Sequence, residues 1–286
     1  MNKTLIGKNS HLFLINDNCR ELDVHCYNLN LVKDKEFKKY NFENYLLIVF
    51  PNKSLIFKNY LPDNFQVKYR PALEEYKNVL KEKLIDTYEI LKNEEDVYYK
   101  TDTHINLKGS YIVFKNFIKK LNEFYNLNIY HKEINITNIK CNLLDLPYGI
   151  GDLLWPQNLG NQNVDEKIDS FYYSEEISHI YMKYIIKSDK SLRILNRNLV
   201  DITDVLENKI VEWKIISTYI LFNNNKFCLN KYKVIIFYDS FLLSTLSLYL
   251  ELFEEVYMIK SVYENEIINL IKPDFVFEFR VERFLQ

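Results

Sequence analysis

The sequence predicts an α/β fold built on a parallel sheet, and three observations carry that expectation. The run Tyr45–Phe50 is apolar throughout and stops at Pro51, which suits a strand buried on both faces. From Lys233 onward, strand and helix patterns alternate with short links, which predicts parallel strands joined by right-handed crossovers. The chain has 286 residues, 48% of them hydrophobic and 27% charged, enough for one large domain with a real core.

Taken in order, a Gly7-Lys-Asn-Ser turn leads into a short strand at His11–Ile15, and Tyr45–Phe50 follows. The stretch Pro71–Leu91 reads as mostly helical. A stronger helix is expected over Lys108–Tyr125, with Phe114, Phe117, Ile118, Leu121, Phe124 and Tyr125 on one face and Asn106 as its cap. The pattern changes at about 126–230. Strand-like pieces such as Ile180–Ile186 and Ile215–Phe222 stand there between Asn-rich turns. This segment reads as a partly β insertion, or cap, over the sheet edge of a single domain spanning 1–286. Beyond it come strand Lys233–Phe237, an all-round apolar helix Phe241–Phe253, strand Val256–Ile259, helix Glu264–Ile271 ahead of Pro273, and strand Phe275–Phe279.

Charge and composition narrow the function. The net charge is −2 and no basic stripe is present, so nucleic acid is not an expected partner. No apolar run approaches the roughly 18 residues of a membrane span. Met1–Ser10 lacks the pattern of a signal peptide, so the chain as given is expected in the cytoplasm, with an extracytoplasmic site left open for a trimmed chain. Cys19, Cys26, Cys141 and Cys228 form no Cys-x-x-Cys pair, which predicts free thiols and no metal site. No cofactor motif stands out, and the aromatic richness is first a matter of composition.

The chemistry-bearing residues lie at two places. In Phe237-Tyr-Asp-Ser240-Phe a buried strand ends and a helix begins. Ligands of open α/β sheets bind outside the carboxyl ends of strands, and a helix N-terminus favours an oxyanion. Ser240 is thus a candidate nucleophile, although Asp239 or Ser240 could simply cap the helix. A serine needs a base. His11, His25, His131 and His179 read as surface or packing histidines. His104 differs, because Asp102 lies two residues upstream on the same loop. A carboxylate there is expected to reach the far ring nitrogen and leave the near one for a serine. Loop polarity is the competing explanation.

The block Asp102-Thr-His104-Ile-Asn-Leu-Lys-Gly109 ahead of a helix resembles the last conserved block of the SGNH hydrolases, and Asp239-Ser240 resembles the first. Their inverted order resembles a circular permutation, as in the AlgX/AlgJ-type alginate O-acetyltransferase family. Gly7-Lys-Asn-Ser-His-Leu-Phe-Leu, Pro51-Asn-Lys53-Ser, Gly151-Asp152-Leu153, Pro273-Asp-Phe-Val and Val281-Glu-Arg283-Phe-Leu fit in the same order over nearly the whole chain.

The resemblance implies a three-layer α/β/α, flavodoxin-like SGNH fold, permuted. It implies an acyl-enzyme formed on Ser240, with His104 as base and then acid and Asp102 orienting the imidazole. The implied partners are an acyl donor, a carbohydrate acceptor and other glycan-biosynthesis proteins. Esterase and transferase outcomes share this machinery.

The chain departs from the pattern in three places. Lys260-Ser-Val lacks the usual glycine, Arg280-Val-Glu282-Arg283 replaces Gly-x-Asn-Asp, and Ile105 stands where Trp often follows the histidine. Arg280 and Arg283 are therefore candidate oxyanion or substrate-binding residues, with a Glu282–Arg283 ion pair at the sheet edge as the structural alternative. Lys53, either facing the cleft or solvated, Asp152, as binder or helix cap, and Trp155, as sugar platform or core, complete the set. A catalytically idle glycan-binding or scaffold domain, and a transferase of another group from a nucleotide donor, are the competing functions.

Overall fold

A computed structural model of the chain describes residues 2–29, 37, 40–131, 151–154, 199–201, 220–224, 228–250 and 252–285. Near the start, β1 (Thr4–Ile6) and β2 (Leu12–Leu14) form an antiparallel hairpin. At its turn, a Cβ on Gly7 would lie 2.4 Å from the Tyr60 carbonyl oxygen, so only glycine fits.

The main sheet contains β3 (Tyr45–Phe50), β4 (Leu84–Asp86), β5 (Leu199–Asp201), β6 (Ile220–Asn224), β7 (Lys233–Tyr238), β8 (Glu255–Ile259) and β9 (Phe275–Val281). Their spatial order is β4-β3-β9-β7-β8-β6-β5. The five strands from β4 to β8 are mutually parallel, while β6 and β5 continue the sheet antiparallel. Counted from β7 through the C-terminus and on to β3 and β4, the parallel strands lie in the flavodoxin-type order 2-1-3-4-5. The chain starts midway through that order, which is the permuted arrangement the sequence predicts.

The sheet is covered on both faces by α1 (Glu21–Tyr27), α2 (Lys53–Ile56), α3 (Pro71–Leu80), α4 (Tyr88–Leu91), α5 (Leu107–Tyr125), α6 (Leu246–Leu250) and α7 (Asn265–Ile271), with 3-10 turns between them. Strand periodicity sorts the side chains. Leu46, Ile48, Phe50, Ile236, Phe277 and Phe279 pack with α5 and α6. Leu47, Val49, Ile235, Phe237 and Val276 pack with α3 and α7. Three layers follow from this alternation. Phe117 of α5 meets Phe277 edge-on at 4.9 Å and Phe279 at 5.4 Å, a geometry aromatic rings favour.

Several elements differ from expectation. The helix from Pro71 stops at Leu80, because Lys81 turns left-handed at φ 51. The chain then runs through β4, which pairs with β3 at the sheet edge. A three-residue strand is too short to show alternation against a helical background. The segment after Ser240 begins as a 3-10 helix over Ser240–Thr245 before α6. Phe124 is 39% exposed near the end of α5, where its ring leans on Tyr125. Of the expected strand Ile215–Phe222, the described part starts at Ile220 in β6. Ile180–Ile186 and Cys141 lie outside the described residues, and Cys19, Cys26 and Cys228 are free thiols. Among the described residues no helix is long and apolar enough to cross a membrane.

The Glu282–Arg283 pair that stood as the structural alternative does not form. Glu282, 1% exposed, instead accepts from Arg70 at 2.6 Å, and Arg283 turns to Glu21 at 3.5 Å. Arg70 also forks onto Asp86 at 2.7 and 2.9 Å. One guanidinium thereby ties the start of α3 to the end of the edge strand and to the turn beyond β9. Removing it leaves the buried Glu282 without its cation and Asp86 with only Lys77, at 3.2 Å. Arg70→Met is expected to cost about 3–5 kcal/mol of stability in urea denaturation. Adding Glu282→Gln to that variant should recover part of the loss, because one of the stranded charges is then gone.

Candidate active site

The site forms where β7 and β9 end side by side, at the point where the strand order reverses. Asp239 fixes this junction. Its main-chain N–H donates to the Phe279 carbonyl at 3.3 Å. Its carboxylate accepts from Val281 N–H at 2.7 Å and from Phe241 N–H at 2.9 Å. One side chain thus caps the helix and holds the two strands together. The capping and nucleophile readings are compatible, since Asp239 caps and the Ser240 hydroxyl is left for another partner.

That partner arrives on the loop before α5. The loop is closed by a bridge between Tyr98 and Ile105 and by Asn106 N–H on the Val97 carbonyl at 3.0 Å. Asn106 caps α5 by accepting from Gly109 N–H at 3.0 Å, and its amide donates to the Asp96 carbonyl at 2.6 Å. A Cβ on Gly109 would lie 2.5 Å from the Val97 carbonyl oxygen. The Asn and Gly that follow His104 therefore serve loop closure.

Within the loop, Asp102 Oδ1 accepts both the main-chain N–H of His104 at 2.8 Å and its ring Nδ1–H at 2.5 Å. His104 Nε2 accepts from Ser240 Oγ at 2.8 Å. The nitrogens are exchanged relative to expectation: Asp102 holds the near one and the far one meets the serine. A carboxylate tied to the His104 main chain cannot reach around the ring. The ring also packs against Phe241, with centroids 5.0 Å apart.

Burial opposes ionisation of Asp102, but the neighbouring imidazolium charge and the N–H donors of His104 and Asp152 outweigh it and hold the carboxyl at about 2. Burial alone would likewise lower His104. The Asp102 charge and hydrogen bond, with a smaller contribution from Asp152, overcome that and the opposing Arg283, so His104 lies above its usual 6.5.

Asp152 opens a 3-10 turn, Asp152–Leu154. Its N–H donates to Asp102 Oδ2 at 2.8 Å, and its carboxylate accepts from Thr103 N–H at 2.8 Å and Thr103 Oγ1 at 2.6 Å. Asp152 Oδ2 is 3.8 Å from His104 Nδ1. Gly151 has φ +33, and a Cβ there would lie 2.4 Å from the Thr101 carbonyl oxygen, so the approach requires glycine. Asp102, His104 and Asp152 offer ligand atoms within 4.8 Å of one another. Each carboxylate oxygen among them already accepts an N–H or O–H from this loop or its neighbour.

The expected cations take other places. Lys53 is buried and donates to the carbonyls of Leu12, Lys100 and Asp102 at 2.7, 2.6 and 3.1 Å. It is neither solvated nor directed out of the strand end. Arg280 donates to Glu278 at 2.8 Å and to the Ser261 carbonyl, and Glu278 in turn accepts from Tyr45 at 2.9 Å. Arg283 lies 5.1 Å over Phe241 and reaches Thr103 Oγ1 at 3.4 Å. The structure thus brings Ser240, His104, Asp102 and Asp152 together, with Arg283 behind Thr103, while Lys53 and Arg280 hold backbone. Trp155 lies outside the described residues. Sequence reasoning missed Thr103 and Glu21. Glu21 is buried, which raises its carboxyl, and it accepts from Ser54 Oγ at 2.7 Å. No local pattern announces their contacts, since Thr103 meets Asp152 and Glu21 meets Arg283 across long stretches of chain.

Fold and site together define an α/β protein of flavodoxin-type strand order, with a serine, a histidine and an aspartate aligned at its switch point. No protein-family model matches the chain, and no curated protein matches it significantly in sequence. Solved structures do match in fold. The structure of Bacillus cereus PatB1 with a sulfonyl adduct has a TM-score of 0.58 at 13% identity, covering 100% of this chain and 97% of that one. A second PatB1 structure gives 0.54 at 13%, covering 99% and 97%. The O-acetyltransferase domain of Pseudomonas putida AlgJ gives 0.48 at 12%, covering 100% and 92%.

The electrostatics predict a defined titration. With Asp102 ionised, His104 should titrate above pH 6.5 in ring-proton NMR. In Asp102→Asn the strongest opposing charge is lost while burial remains, so the midpoint is expected to fall below 6.5.

Proposed function

We propose that the chain is a carbohydrate O-acyltransferase or esterase of SGNH hydrolase type, with acetyl the simplest acyl group. The observation that carries this reading is the line Asp102–His104–Ser240, at 2.5 and 2.8 Å, at the mouth of the sheet's switch point. Its motif order resembles the alginate O-acetyltransferases. The fold is that of PatB1, a protein seen with a sulfonyl adduct.

In this mechanism His104 Nε2 takes the Ser240 hydroxyl proton as Oγ attacks the acyl carbonyl carbon. The carbonyl oxygen gains the negative charge and faces the Ser240 N–H at the helix start. The tetrahedral intermediate collapses, and His104 returns the proton to the departing oxygen of the donor. An acyl-Ser240 ester remains. A sugar hydroxyl then loses its proton to His104 and attacks the ester, which regenerates Ser240 and releases the acylated glycan. Water in place of the sugar gives the free acid. Asp102 stays ionised throughout, since its carboxyl lies at about 2, and it supports the imidazolium formed at each step. A histidine whose affinity for a proton is raised by Asp102 is suited to take the serine proton and return it to the leaving group.

Hydrolysis of p-nitrophenyl acetate by wild type, Ser240→Ala and His104→Ala tests the reading, with circular dichroism as the folding control. Each variant is expected to lose about a thousandfold or more. A sulfonyl fluoride should modify Ser240 in wild type and fail in His104→Ala. Folded protein that neither turns over esters nor reacts with the probe would overturn the serine mechanism and favour a glycan-binding or scaffold role. Modification without acetyl-ester turnover points to another acyl group or donor.

A further inference from the structure

Asp152 is placed against the catalytic loop by a segment almost fifty residues away in sequence. The approach is built in from both sides. Gly151 lets the backbone pass under Thr101, Leu153 N–H donates to the Thr101 carbonyl at 3.2 Å, and Thr4 Oγ1 donates to the Leu153 carbonyl at 2.7 Å. The result is a strap across Thr101–Thr103, with the Asp152 carboxylate at its centre.

The bonds of this strap reach the two residues just before the histidine. Asp152 N–H saturates the oxygen of Asp102 that does not serve His104, and the Asp152 carboxylate grips Thr103 through N–H and hydroxyl. Asp102, which holds the imidazole, and Thr103, which precedes it in the chain, are thereby both fixed. For Thr103 alone an asparagine would serve, since it also accepts an N–H. A carboxylate adds something an amide does not. It places a second negative charge 3.8 Å from His104 Nδ1, although a like charge on Asp102 stands beside it. Burial and that Asp102 charge push the Asp152 carboxyl up, and the His104 charge pulls it back. The negative form of Asp152 is therefore most favoured when His104 is protonated. The state with an imidazolium is the one that accompanies the tetrahedral intermediate, so stabilising it lowers the barrier rather than the ground state.

We propose that Asp152 is a positioning residue of the triad, locking Asp102 and Thr103 and supporting the His104 imidazolium with a second carboxylate. The proposal rests on the serine mechanism for its catalytic consequence, and it replaces a substrate-facing role for Asp152. The charged groups that act on His104 include Asp102 from its own loop, Asp152 from the strap and Arg283 from the turn after β9, which opposes them. Arg283 also reaches Thr103 Oγ1, the hydroxyl that Asp152 holds.

Asp152→Asn tests it in two independent ways. The first is the NMR titration of the His104 ring, which needs no substrate. Its midpoint is expected to fall by about one pH unit relative to wild type. The second is the pH profile of ester turnover, whose acid limb should move down with that midpoint while kcat falls about tenfold and KM stays near wild type. A folded variant with an unmoved His104 midpoint overturns the electrostatic role, even if activity is lost. An unchanged kcat overturns the positioning role. Should the variant fail to fold, the same coupling is read in the unaltered protein. The Asp152 carboxyl carbon should then show an inflection at the His104 midpoint, and its absence overturns the proposal. A wild type inert to every ester would sink the serine reading while leaving the titrations intact, so the two failures remain distinct.

Discussion

The arrangement depends on keeping one buried carboxylate ionised. Asp102 is removed from water, and an unpaired charge in such a place costs several kcal/mol. Three N–H groups meet it: the main chain and ring of His104 on one oxygen, and the main chain of Asp152 on the other. These donors come from two segments, so the charge can persist only if both segments are held in register. The surrounding features follow from that demand. Lys53 gathers the carbonyls of Leu12, Lys100 and Asp102 about one ammonium, which pins the loop to the hairpin from below. Gly151 permits the close approach from above.

A second acid, Asp239, solves a different problem with similar means. Both of its oxygens are taken by main-chain N–H groups, one at the helix start and one at the end of β9. It anchors geometry where Asp102 anchors charge. Its position at the strand reversal matters because β7 and β9 diverge into their connections there, leaving a crevice. The permuted chain order does not disturb this. The five parallel strands occupy the same spatial sequence whether the chain begins before β7 or before β3. The histidine loop and the serine turn therefore meet although 136 residues separate them.

What was legible in the sequence was what is local. Tyr45–Phe50 announces a buried strand through an unbroken apolar run, and Phe275–Phe279 through one that only Glu278 interrupts. Ser240 at a strand–helix junction and Asp102 two residues from His104 announce themselves by spacing. Asn106 and Gly109 read as a cap and a block, and the structure supplies the steric reason. What stayed hidden depends on partners far along the chain. Nothing near Lys53 indicates that three carbonyls will converge on it. Nothing near Glu282 and Arg283 indicates that adjacent opposite charges will part, one to Arg70 and one to Glu21. Glu282 and Arg283 open a 3-10 turn, where three residues per turn set consecutive side chains roughly 120° apart, so an adjacent acid and base there are poorly placed to pair. Which ring nitrogen Asp102 takes was likewise decided by the main-chain bond it makes first.

The fate of the cations bears on how such a site does chemistry. Lys53, Arg280 and Arg283 were each candidates to meet substrate, and each is bound to protein groups instead. Lys53 fixes carbonyls of the His104 loop and Arg283 reaches Thr103 beside His104, while Arg280 ties Glu278 to the Ser261 carbonyl. Groups held in place before the reaction need no reorganisation when charge develops, which is the main source of electrostatic catalysis. A flexible lysine reaching for an oxyanion would have to be ordered in every turnover. A buried lysine holding the loop is ordered once, on folding. In the proposed mechanism the oxyanion is left to the Ser240 N–H, whose direction is set by Asp239. The imidazolium is left to carboxylates whose positions are set by the strap and the Lys53 clamp. Each developing charge is thus met by a group that the fold has already oriented.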